Sequence, residues 1–118
     1  MVLIKDFSVL NLHPMLEQIA EDIEKEFGPG VYTSIHRPGD SGVHGTIPVR
    51  GLDRRCRDHT RGATIQAWVN TWFEYDAKRP ELKCCIFHKV PMGAFHLHFQ
   101  AHDNTQKRVL KGNGRWPV

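Results

Sequence analysis

The sequence predicts a single α+β domain in which a small, mainly antiparallel sheet packs with two helices. Two segments show helical periodicity, and four others show the alternation or β-branched composition typical of strands. The last two of these strands are separated by a short turn, as in a hairpin. A chain of 118 residues is also close to the commonest size of one domain, so residues 1 to 118 are interpreted as one unit.

Both predicted helices begin and end at recognisable positions. The first covers residues 14 to 27, because Pro14 suits a first helical turn and Gly28 follows the last one. The second is expected to be capped within residues 58 to 60 and to continue to about Tyr75. Its buried stripe is predicted to consist of Ile65, Trp68, Val69, Trp72 and Phe73.

The four predicted strands lie between these helices and after them. They are expected at residues 31 to 36, 49 to 55, 82 to 90 and 94 to 102. The turn of the hairpin is Pro91-Met-Gly93. From about residue 104 the chain is basic and glycine-rich without a clear period, and the pattern leaves open whether this tail lies over the surface or stays mobile.

Composition excludes several classes of protein. With 40% apolar and 25% charged residues the chain can bury a modest core, and it contains no run of roughly 20 apolar residues that could span a bilayer. Asp6 interrupts the apolar start of the chain, so no signal peptide is expected. We expect the protein to be made in a cytoplasm. The net charge of +3 is scattered, which argues against a nucleic-acid partner. We expect a monomer.

Two features of the composition are local. The three cysteines form no CxxC pair, and we expect Cys56, Cys84 and Cys85 to be buried free thiols. The densest basic group comprises Arg54, Arg55, Arg57 and Arg61, for which we expect a solvated strand end, with attraction to an anionic cell wall as the functional alternative.

Five of the eight histidines fall in two short stretches of the chain. In residues 95 to 99, FHLHF, strand alternation places His96 and His98 on the face opposite the three apolar side chains. If Val90 pairs with Ala94 across the turn, His88 lies directly opposite His96. Three imidazoles would then cluster on one face, although an outward polar face of an ordinary strand is the simpler interpretation of the HxH pair alone.

The second stretch contains SIHRPG at residues 34 to 39, GVHGT at 42 to 46 and VRGLD at 49 to 53. Together with the late HLH, this resembles the zinc murein peptidases, which include D-alanyl-D-alanine carboxypeptidases, phage L-alanyl-D-glutamate endolysins and the Hedgehog signalling domain. That family's pattern is Ser-x-x-Arg, His-x-x-Gly-x-Ala-x-Asp and a late His-x-His. The similarity covers roughly residues 31 to 102, and the short form is most like proteins of tailed phages.

The resemblance implies a Hedgehog/DD-peptidase fold and a zinc site. His44, Asp53 and His98 would bind Zn²⁺, and His96 would face the substrate. A His₂Asp set suits zinc and leaves a fourth position for water, as catalytic zinc requires.

The same resemblance implies two substrate contacts. Arg37 would hold a substrate carboxylate or stabilise the oxyanion that develops on the scissile carbonyl. Ser34 would help to position the substrate. Without the resemblance, a solvated loop arginine and a polar strand residue are the ordinary interpretations of these positions.

The sequence departs from the family pattern at two places. Two additional residues lie between His44 and Asp53, so the chain near Ile47-Pro48 must bulge if both ligands reach one ion. Met92 occupies the position where the family commonly has an acidic general base. His88 is the predicted substitute, because imidazole has an ordinary pKa near 6.5.

The function that the resemblance implies is hydrolysis of amide bonds in the peptide stem of bacterial peptidoglycan by zinc-activated water. The enzyme would be of the carboxypeptidase or endolysin type, reaching the cell wall by a phage lysis route or in a virion. The alternative is a non-catalytic zinc- or peptide-binding module on the same fold, with a virion-associated or regulatory role. A chelator should abolish activity and lower thermal stability in the first case, and lower only stability in the second.

Overall fold

The computed structural model describes residues 2–3, 11–35, 49–89 and 95–108. Its two helices are α1 (Pro14–Phe27) and α2 (His59–Trp72). The strands are β1 (Val2–Leu3), β2 (Val31–Ile35), β3 (Gly51–Arg55), β4 (Phe73–Glu74), β5 (Cys85–Lys89), β6 (Phe95–Gln100) and β7 (Gln106–Lys107). The predicted α+β class is therefore confirmed.

The main sheet has the strand order β1-β2-β3-β6-β5, and every neighbouring pair in it is antiparallel. The β5-β6 hairpin pairs residues that are close in sequence, whereas β3 pairs with β6 across more than 40 residues of chain. The long-range pairing places β3 at the centre of the sheet, between the first and the last of the predicted strands.

Helix α1 has the predicted bounds. His13 precedes it and accepts a hydrogen bond from the backbone N–H of Met15, while Pro14 occupies the first turn. Gly28 ends the helix with a φ of 89°, in the region that favours glycine. The buried side of the helix carries Leu16, Ile19, Ala20 and Ile23.

Helix α2 starts where the sequence predicts but ends earlier. The Asp58 side chain accepts a hydrogen bond from the backbone N–H of Arg61, which caps the first turn. The helix ends at Trp72, not near Tyr75, because Phe73–Glu74 pairs with Gln106–Lys107 in a second, two-stranded sheet. Chain that follows residue 104 thus supplies a strand to the body of the domain.

Two side chains of α2 bind the backbone of β5, the outermost strand of the main sheet. Asn70 accepts from the N–H of Cys85 at 3.0 Å and donates to its carbonyl at 2.9 Å. Gln66 accepts from the N–H of Phe87 at 2.7 Å. These bonds fix the helix beside the strand and satisfy backbone groups that β6 does not reach.

One core joins the helices to one face of the sheet. From the sheet it contains Leu52, Leu97 and Phe99, all fully buried, and it extends under α1 and α2. Trp68 and Trp72 are partly buried against it. Since side chains alternate along β3 and β6, this packing leaves Asp53, His96 and His98 on the opposite face.

Neither helix in the described part of the chain has the length and apolar character needed to span a membrane.

Candidate functional site

The centre of the candidate site is the pair formed by Asp53 and His98. The β3-β6 register places the two residues directly opposite each other. Nδ1 of His98 lies 2.8 Å from Oδ1 of Asp53, and since a carboxylate oxygen only accepts, the ring donates this hydrogen bond. About 15% of each side chain is exposed, so the pair is well shielded but not sealed from solvent.

His96 lies beside this pair on the same face. Its Nε2 is 3.9 Å from Oδ1 of Asp53, and its side chain is only 12% exposed. Burial lowers the pKa of His96; the Asp53 carboxylate opposes that effect, and the His88 and His98 rings add to it. The ring is therefore held toward its neutral form, in which one nitrogen accepts and the other donates.

The predicted hairpin register is confirmed. His88 pairs with His96 in the β5-β6 ladder, and the two ring centroids are 4.1 Å apart with an interplanar angle of 69°. His88 is exposed, so it is the imidazole of the cluster that is most open to solvent. The three histidines and Asp53 thus form one group across three neighbouring strands.

Gln100 belongs to the same face and was not among the predicted site residues. Its Oε1 lies 3.3 Å from Nε2 of His98, and its amide nitrogen donates to the carbonyl of Lys83 at 2.8 Å. It therefore holds the side of His98 that faces away from Asp53. The alternation that places His96 and His98 on one face also includes position 100, so the signal was present in the sequence.

Arg55 is a second residue that the sequence analysis did not assign to this face. It pairs with His96 in the β3-β6 ladder and shares the outward side of β3 with Asp53.

The expectation that residues 54 to 61 form a solvated basic strand end is wrong for Arg54, which is 4% exposed. Position 54 alternates with Leu52 toward the core, so the guanidinium is buried there.

Two predicted site residues lie outside the described part of the chain. These are Arg37 and His44, together with the bulge expected near Ile47-Pro48. For Ser34 the backbone is described, and it pairs with Asp53 in the β2-β3 ladder. The strand order thus brings Ser34 of the first motif beside Asp53 of the second, and Asp53 beside His98 of the HLH strand.

The donors present fit part of a zinc site. One carboxylate oxygen and one imidazole nitrogen are donors that zinc prefers, and two ligands on a tetrahedral zinc lie about 3.3 Å apart, so a small opening of the 2.8 Å contact between Asp53 and His98 would admit an ion. Within residues 2–3, 11–35, 49–89 and 95–108, no three His, Cys, Asp or Glu side chains form a group that could hold a metal ion. The predicted third ligand, His44, is not among these residues.

The arrangement offers one carboxylate oxygen and one imidazole nitrogen side by side, with two further imidazoles next to them. Such a group, on the face of the sheet that is turned away from the core, is suited to polarising and protonating a bound substrate. No family model, curated protein or solved structure matches this chain.

Proposed function

We propose that the protein is a zinc-dependent peptidase that hydrolyses amide bonds in the peptide stem of bacterial peptidoglycan. The observation that carries the proposal is the 2.8 Å contact between His98 and Asp53, with His96 and His88 on the same face. These residues come from separate motifs whose order resembles that of the zinc murein peptidases. The strand order β2-β3-β6-β5 brings the described parts of those motifs side by side.

The metal would be held by Asp53 and His98, with His44 as the third ligand. When bound, zinc would supply a water of lowered pKa and a Lewis acid for the scissile carbonyl. The protein's own part is to hold its ligands in place: Gln100 contacts Nε2 of His98, which leaves Nδ1, the nitrogen that faces Asp53, for the metal.

His96 and His88 would act on the substrate. His96 is shielded and held toward its neutral form, in which the ring nitrogen that carries the proton can donate a hydrogen bond to a bound peptide oxygen. His88 is exposed and in contact with His96, which places it to accept a proton and pass it to solvent. Arg37 and Ser34 would bind the peptide by its carboxylate and backbone.

The proposal is tested by the zinc content of the purified chain and of three variants. We expect about one zinc per chain in the unmodified protein and in His59→Ala, a control that removes an exposed imidazole from the start of α2. His98→Ala and Asp53→Ala should lose the metal. An unmodified chain that binds no zinc even when zinc is supplied would contradict the proposal.

A second candidate function is a zinc- or peptide-binding module without turnover. It is favoured by Met92, which stands where the resembled family has an acidic base. Zinc-loaded protein and murein stem peptides distinguish the two functions: an enzyme releases amino acids or shorter peptides, and a chelator stops the release. A binding module retains the peptide uncleaved and loses only thermal stability on chelation.

A further inference from the structure

A cleft of about 330 Å³ lies where β3 ends and α2 begins. The segment that joins α1 to β2 forms its other wall, through Pro29, Gly30 and Val31. Within the described part of the chain its lining includes four arginines and one acidic residue, namely Arg54, Arg55, Arg57, Arg61 and Asp58. Asp53, His88, His96 and His98 are not among the lining residues, and Arg55 is the residue of their face that also lines the cleft.

The described residues that line the cleft carry more positive than negative charge. Arginine stays protonated at any physiological pH, so all four guanidinium groups are cationic. Among the described lining residues Asp58 alone carries a carboxylate, and its side chain accepts the backbone N–H of Arg61 as the cap of α2. The N-terminus of that helix adds a partial positive charge of its own.

The Arg54 side chain is buried and forms part of the wall of the cleft. Its Nη2 donates to the carbonyl of Gly28 at 2.9 Å, and Gly30 lies so close that a Cβ there would be 2.3 Å from the Arg54 Cζ. Nη1 has no hydrogen-bond partner, and its nearest carboxylate oxygen, on Glu24, is 4.0 Å away. A buried charged donor without an acceptor is costly and uncommon.

Two of the other arginines, Arg61 and Arg57, differ in how their side chains are held. Arg61 donates to the carbonyl of Phe27 and lies over the ring of that residue, with its Cζ 5.8 Å from the ring centroid. Arg57 is exposed, and within the described ranges of the chain its side chain has no hydrogen bond or ion pair. The cleft thus combines anchored guanidinium groups with one that is available to a ligand.

We propose that this cleft binds a small oxyanion, a carboxylate or a phosphate. Guanidinium groups match the oxygens of both anions through paired N–H donors. An anion in the cleft would offset the positive charge of these guanidinium groups and of the N-terminus of α2, and the exposed Arg57 side chain could bind it directly. Zinc is not required, so this proposal stands or falls separately from the peptidase function.

The test is a calorimetric titration of the full chain with inorganic phosphate and, in a second series, with succinate. Ionic strength is held constant with sodium chloride, because screening alone changes with added salt. We expect saturable binding of at least one of the two anions. Phosphate binding without succinate binding identifies a phosphate site, and the reverse identifies a carboxylate site.

Two variants locate the binding. Arg57→Ala should weaken the affinity about tenfold or more, the loss expected for a charge-assisted hydrogen bond. Lys78→Ala removes one exposed positive charge outside this cleft and should leave the Kd unchanged. His98→Ala should also bind the anion as the unmodified chain does. No saturable binding of either anion, or an equal loss in Arg57→Ala and Lys78→Ala, would overturn the proposal.

Discussion

The imidazole rings of His88 and His96 lie edge to face across the β5-β6 hairpin, 4.1 Å apart between centroids. This contact results from the register that pairs the two residues, and both rings lie on the face that carries Asp53. A shift of one residue in the hairpin would turn one ring toward the opposite side of the sheet. The hairpin register is therefore a condition for the proposed site.

His88→Gln tests the proposed base. Since His88 is not a predicted ligand, we expect the variant to keep its zinc while the kcat on murein stem peptides falls by about 10²- to 10⁴-fold. Zinc content and kcat are measured on the same preparation, beside His59→Gln as the control. Full activity in the zinc-loaded His88→Gln variant would assign the proton transfer to another group.

Gly62→Ala tests the close approach of α2 to the sheet. A Cβ at this position would lie 2.4 Å from the Phe87 ring, so we expect the substitution to destabilise the fold by about 1–3 kcal/mol. Glycine to alanine inside a helix ordinarily stabilises by up to about 1 kcal/mol, so the sign of the change is diagnostic. Urea unfolding measures the change in the free energy of unfolding.

The matched background for Gly62→Ala is Phe87→Leu. If the ring is the obstacle, the alanine should cost less beside the smaller leucine, and a double-mutant cycle should show a coupling between the two positions. Equal effects of Gly62→Ala in both backgrounds would show that Phe87 is not the cause.

Asp76 should make stability depend on acid pH. The backbone N–H of Lys78 donates to its carboxylate, and so does the Arg79 side chain; these bonds lower the pKa of Asp76 to about 2. A lowered pKa stabilises the folded state above the ordinary value near 3.8, and this contribution is lost as the pH falls toward 2. Asp76→Asn should therefore have a lower Tm than the unmodified chain at pH 7.

The difference in Tm caused by Asp76→Asn should shrink between about pH 4 and pH 2, where the native carboxylate becomes protonated. Thermal unfolding of both proteins across that pH range measures the difference in Tm. A difference that is constant from pH 7 to pH 2 would mean that the charge of Asp76 contributes nothing to stability.

The thiols should be unreactive in the folded protein. Burial raises the pKa of Cys84 to about 12 and raises that of Cys85 as well, and Cys56 is also buried. Because the thiolate is the reactive form, we expect no labelling of Cys84 or Cys85 by iodoacetamide at pH 8 until a denaturant is added. Mass spectrometry of native and unfolded samples locates the label, and rapid native labelling at either position would contradict this burial.

Much of the fold follows from local signals in the sequence. Pro14 and Gly28 fix the ends of α1, and the alternation around His96 fixes which side chains face outward. The end of α2 could not be predicted, because Trp72 continues the helical stripe. The helix ends there because the next residues pair as a strand with Gln106–Lys107. Two-residue strands have no periodicity of their own.

The candidate site was predictable where it depends on a short hairpin. The pairing of His88 with His96 follows from one turn length, and the structure confirms it. The proximity of Asp53 to His98 needs a β3-β6 pairing over 45 positions, which only a resemblance to a known pattern could suggest. The burial of Arg54 was missed because a run of arginines suggests solvent, although its place between Asp53 and Arg55 on a strand indicates the inward face.

The bonds from Asn70 and Gln66 to strand β5 also have a consequence for association between molecules. A strand at the border of a sheet ordinarily offers a row of free backbone groups on which another chain can build, which leads to aggregation. Here the N–H and carbonyl of Cys85 and the N–H of Phe87, which point away from β6, are already bound by helix side chains. An incoming strand would have to displace both amides, so α2 protects this border of the sheet from intermolecular strand addition.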